Sequence, residues 1–171
     1  MNMIHPVDMY NFHVWANQTM FNRLKELPQE LYKQEVQSSF PSLSKGMAHI
    51  YTVDFGWLDM LSGKSMVEAL ELRAQREQEA EAQSLEGLEA MFTDLTERYK
   101  AFFAGQADFE KQIVLDNPYA GIYEATLSEM VMQVVNHGTY HRGNISAMLR
   151  QLGHASVMTE YALFWYQKAS R

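Results

Sequence analysis

The stretch "TLSEMVMQVVNHGTYHRGNISAMLRQLG", residues 126–153, decides the fold of this chain. Thr126 and Glu129 stand at capping-box spacing, and Gly153 closes the run where a helix stop belongs. Between them Leu127, Met130, Val134, Ile145, Met148 and Leu152 recur with a period near 3.6, so the segment predicts a long helix with one apolar face. His137 and His141 fall on that same stripe, four residues apart. Such a pair has Cβ atoms about 5–6 Å apart, so both rings can converge on one ion at about 2.0–2.1 Å. The alternative is a separate carbonyl, tyrosine or water for each ring, because an unpaired polar group away from water costs about 1–3 kcal/mol.

Three more stripes of the same period precede it. Val7, Tyr10, Val14, Phe21 and Leu24 mark a helix from about Pro6 to Leu27, with the proline at its start. Leu43, Met47, Ile50, Val53, Trp57 and Leu61 mark one from about Ser42 to Leu61, stopped by Gly63. Leu85, Leu88, Phe92, Leu95, Tyr99 and Phe102 mark one from about Ser84 to Phe103, before Gly105. Four stripes that must bury their faces against one another predict an all-α four-helix bundle. The remainder is peripheral: residues 68–83 are dense in charge and read as a solvated outer helix, to which no functional weight is given. "KQIVLDNPYAGIYEAT" (111–126) reads as a hairpin or ordered loop about Asn117-Pro118, and "EYALFWYQKA" (160–169) as a short terminal helix.

A chain of 171 residues with 47% hydrophobic and 20% charged residues is expected to form one domain, residues 1–171, that buries its own core. A net charge of −7 with no basic block argues against a nucleic-acid partner. The chain has no Cys, which removes disulfides, thiolate ligands and a cysteine nucleophile; any thiol must come from a cosubstrate. No basic leader opens the chain and no run reaches the roughly 18–20 apolar residues of a membrane span, so a cytoplasmic protein without membrane contact is expected.

An open metal site needs a third ligand beyond His137 and His141. His49 and His13 both lie on predicted helices beside their stripes, and periodicity leaves the choice between them open; His5 and His154 belong to helix ends. HExxH, paired ExxH, GxSxG, GxGxxG and P-loop patterns are absent. The twelve Met residues sit mostly at core spacing. Asp54, one turn from Ile50, is expected either to hold a histidine ring nitrogen or to stand partly exposed and solvated, and Tyr140 and Asp54 are the nearest candidates for a general base; no catalytic residue is assigned.

The segments "WANQTMFNRLKEL" (15–27), "SLSKGMAHIYTVDFGWLDML" (42–61) and above all "HGTYHRGNISAMLRQLG" (137–153) make the chain resemble the DinB-like (DinB/YfiT-like) family of metal-dependent proteins over nearly its whole length. The resemblance implies an up-down-down-up bundle, a homodimer, and a divalent ion held by His49, His137 and His141. Relatives commonly read HRGQ where this chain reads HRGN at 141–144, which leaves the role of Asn144 open. Three neutral imidazoles suit zinc or nickel and leave a coordination position for water or substrate. Relatives point to transfer from low-molecular-weight thiols to small electrophiles; the alternatives are hydrolysis, or metal binding without turnover in a stress protein induced by DNA damage. Arg142, next to a candidate ligand and off the stripe, is expected either at the surface or orienting an anionic thiol.

Overall fold

The computed structural model describes residues 5–169. Four long helices carry the fold: α1 (Pro6–Lys25), α3 (Leu43–Leu61), α6 (Leu85–Ala104) and α7 (Leu127–Gln151), joined by the short α2 (Glu30–Lys33), α4 (Met66–Glu71), α5 (Arg73–Glu81), a hairpin β1 (Gln112–Asn117) and β2 (Gly121–Thr126), and a terminal α8 (Tyr161–Ala169). The starts follow from the capping residues. His5, Ser42 and Ser84 each accept a backbone N–H of the first turn, and Thr126 and Glu129 form the reciprocal box expected for α7. Gly153, at φ +84°, lets the chain turn away just past α7.

Ring and hydrogen-bond pairs give the helix directions. Tyr10 lies 4.3 Å from Tyr99 and Phe21 5.2 Å from Phe92, so α1 and α6 are antiparallel. Tyr99 reaches the carbonyl of Asp54, and Tyr51 meets Phe92, so α3 and α6 run the same way. Gly46 lies against Ile145 and His49 against His137, which makes α3 and α7 antiparallel. The order is up-down-down-up, an all-α bundle with one small antiparallel sheet. Its two parallel-running middle helices need a long return, supplied by α4 and α5 along α3.

The core fills with Phe21, Leu43, Ile50, Leu88, Leu95, Met130 and Ile145, as the stripes predict, but α1 departs from its reading. Val7 and Val14 are only half-buried, whereas His13 and Asn17 are inside. Its inner face runs Tyr10, His13, Asn17, Met20 and Leu24, a helical period that polar residues conceal from a hydrophobicity reading. Among the described residues no helix is long and apolar enough to cross a membrane.

Candidate metal centre

His49 comes from the middle of α3, and His137 and His141 from one face of α7, and their antiparallel packing brings the three rings together. One nitrogen from each ring lies within 4.8 Å of the others, a group that could hold a metal ion. His137 Nε2 is 3.2 Å from His49 Nε2. Two nitrogens bound tetrahedrally at 2.0–2.1 Å from one zinc would stand about 3.3 Å apart, so this spacing fits.

The electrostatics favour lone pairs over protons. Burial, then the neighbouring rings of His141 and His49, pushes His137 down to about 3. Burial and His49 push His141 down to about 4, and burial followed by Arg73 lowers His49. The three rings are neutral near pH 7. Arg73 donates from Nη2 to His49 Nδ1 at 3.4 Å, which leaves the proton of His49 on Nε2, pointing at His137 Nε2. His137 then carries its own proton on Nδ1, a buried atom with no partner in the protein. Hydrogen bonds among the three rings are therefore a poor solution for this cluster, and a cation facing both Nε2 atoms removes the need for a proton between them.

The surroundings are built by residues that the sequence pattern passed over. Phe40, in the loop before α3, sets its ring 5.3 Å from His49 and 5.2 Å from His141, roofing the cluster with an apolar face. On α5 Glu77 Oε1 is 3.8 Å from His49 Nδ1, so the charged segment given no functional weight supplies two groups around one ring. The signal that could have found them is the four-residue spacing of Arg73 and Glu77 on one helix face. Asn144 approaches His141 Nδ1 at 3.3 Å and Tyr140 packs its ring on His141 while remaining 69% exposed.

The match to known proteins covers the same ground. The model of the DinB family matches residues 2–170. This chain belongs to the DinB family. Protein DinB of Bacillus subtilis (strain 168) is 49% identical over 158 residues, 92% of each chain. Among solved structures, a DinB-like protein from Bacillus cereus ATCC 10987 aligns with TM-score 0.53 at 17% identity over 90% of this chain and 94% of its own. A mycothiol-dependent maleylpyruvate isomerase aligns with TM-score 0.62 at 10% identity over 85% of this chain, which spans only 63% of the isomerase. At such identities the likeness to both structures is one of fold.

His13, the other histidine left open by periodicity, is placed elsewhere in this DinB-family chain. It is buried against Asp54, Nε2 to Oδ2 at 2.7 Å, and packs on Gly138 of α7. Asp54 thus holds a histidine ring, but that of His13 and not of the cluster. Arg142 corrects both of its expectations: it is 1% exposed, donating from Nη1 to Asn17 Oδ1 at 2.8 Å and to His13 Nδ1 at 3.2 Å, and from Nη2 to Thr139 Oγ1 at 2.9 Å. A guanidinium only donates, so His13 Nδ1 accepts and its Nε2–H goes to Asp54. A neutral imidazole thereby relays a buried arginine to a buried carboxylate. Burial lowers Arg142 to about 10, which still leaves it charged at pH 7. Gly138 is required here because a Cβ would stand 2.3 Å from His13 Cε1.

Proposed function

We propose that His49, His137 and His141 hold one divalent ion, zinc or nickel, and that this centre joins a low-molecular-weight thiol, as its thiolate, to a small electrophile. The observation that carries the reading is the convergence of three neutral ring nitrogens within 4.8 Å under an aromatic roof. An ion held by three neutral ligands supplies Lewis acidity at a remaining position, lowering the pKa of a thiol or water there. The protein's own residues orient the ligands. Asn144 can present either end of its amide to His141 Nδ1, so it acts on a ligand ring and not on substrate.

Thiol transfer suits these residues better than hydrolysis. Asp54, a candidate base, is committed to His13, and the hydroxyl-bearing ring of Tyr140 is largely in solvent. A thiol acidified at the centre releases its proton to solvent without a protein base. With an aryl chloride, a C–S bond forms and the C–Cl bond breaks, chloride leaving with the electron pair. That the isomerase of similar fold is mycothiol-dependent supports a thiol cosubstrate, and a chain without Cys supplies none itself.

The test is to incubate metal-loaded protein with bacillithiol or glutathione and a chlorinated aromatic, and follow the conjugate by mass spectrometry. Wild type is expected to exceed His141→Ala; equal rates across several thiols would count against S-transfer and leave hydrolysis or metal binding without turnover. The same reading makes the chain a cytoplasmic, one-domain protein over residues 1–171, without nucleic-acid or membrane partners, acting as a homodimer. A monomer in sedimentation at micromolar concentration would remove the last claim.

A further inference from the structure

The charged outer helix α5 meets the candidate centre at one atom, His49 Nδ1. Arg73 Nη2 approaches it at 3.4 Å and Glu77 Oε1 at 3.8 Å, and the two side chains approach each other at 3.9 Å. The two groups make opposite demands on that nitrogen: a guanidinium can only donate, so it requires a bare Nδ1, and a carboxylate can only accept, so it requires Nδ1–H. A neutral imidazole satisfies one of them at a time. When Nε2 is free it can hold the ring proton, and Arg73 is the matching partner. When Nε2 gives its lone pair to an ion, the proton must sit on Nδ1, and Arg73 becomes a donor facing a donor.

We propose that Glu77 is the positioning residue of the metal centre, accepting the Nδ1–H of His49 when Nε2 faces an ion, and that Arg73 is its competitor, holding the metal-free ring. The inference rests on the metal-binding reading above. It follows that the ion shifts His49 from Arg73 to Glu77, a movement within one turn of α5 that needs no change in the bundle. Glu77 is a third exposed, so its replacement leaves the core untouched.

The experiment is a competition titration of zinc against a chromophoric chelator, on protein freed of any affinity tag, for wild type, Glu77→Gln and Arg73→Met. Glu77→Gln is expected to weaken zinc affinity by roughly 10–100-fold, and Arg73→Met to match or exceed wild type. A second readout does not move with a merely structural role. In zinc-loaded wild type the His49 Nδ1–H should appear in the proton NMR spectrum as a slowly exchanging signal, absent in Glu77→Gln and His49→Ala. Wild-type affinity in Glu77→Gln, or an unchanged imidazole signal, overturns the inference while the metal reading stands. Wild type that takes up no zinc overturns the metal reading and this inference with it.

Discussion

Two histidine clusters draw on neighbouring residues of α7, one through His137 and His141 and the other through Gly138 and Arg142, and they solve the same physical problem in different ways. In the His13 cluster opposite charges are linked by hydrogen bonds: Arg142 donates to His13, Asn17 and Thr139, and His13 donates to Asp54, while Arg142 Nε and Asp54 Oδ1 stay buried without a partner. Positive and negative charge are both present, bridged by the imidazole of His13. In the His49, His137 and His141 cluster the groups are alike, all neutral acceptors with one ring proton each, and a buried nitrogen of His137 finds no partner. A cluster that pairs opposite charges ties α1, α3 and α7 together, whereas the three like rings include no charged partner and form a group that could hold a metal ion. That distinction, not the histidine count, separates a structural polar network from a candidate metal centre.

The comparison breaks most visibly at Arg142. Removing one partner from a buried, hydrogen-bonded charge pair costs about 3–5 kcal/mol, because the other charge stays inside. Arg142→Met is therefore expected to lower unfolding free energy by about that amount in urea denaturation. A loss below about 1 kcal/mol would show that the network is not a charge relay.

A pH series sharpens the contrast from the other side. Folding lowers His137 from 6.5 to about 3 and His141 to about 4. The unfolded rings take up protons as pH falls through 6.5 and the folded ones do not, so these groups favour the folded state fully above that pH. Metal-free protein is expected to lose stability progressively from about pH 6.5 toward 4, and His137→Ala to lose less of it over the same range. Identical pH profiles by thermal melting would refute the assignment.

Two glycines on α7 give a finer comparison. An alanine at 138 would drive its Cβ to 2.3 Å from His13, whereas one at 143 meets nothing within 4 Å. Gly138→Ala is expected to destabilise by about 1–3 kcal/mol through overpacking. Gly143→Ala should be neutral or stabilise by up to about 1 kcal/mol, since alanine favours the helix. Equal effects in chemical denaturation would contradict the packing described around His13.

Legibility in the sequence divides along the same line. Apolar periodicity with caps reports any helix face that is greasy, which is why α3, α6 and α7 end within a residue or two of their readings and why His137 and His141 stood out on a stripe. The inner face of α1 did not show, because His13 and Asn17 occupy core positions and a hydrophobicity pattern discounts them. Arg142 lies off the apolar stripe, and its burial has no local signal because its partners, Asn17 and His13, lie 125 and 129 residues away in the chain. The same distance in sequence hid Phe40 and α5: their contact with the rings depends on how the return from α3 to α6 folds back, which no local pattern encodes. Periodicity also left His49 and His13 equal; the resemblance to the DinB-like family favoured His49, and the structure sets His49 beside the pair and His13 on Asp54.

The most direct test of the distinction between the clusters is metal content. Protein purified without affinity histidines, as wild type, His137→Ala and His13→Ala, is to be analysed by inductively coupled plasma mass spectrometry, with circular dichroism to confirm folding. The account predicts one divalent ion per chain in wild type and in folded His13→Ala, and essentially none in His137→Ala. Stoichiometric metal in His137→Ala, or its loss from a folded His13→Ala, would contradict it.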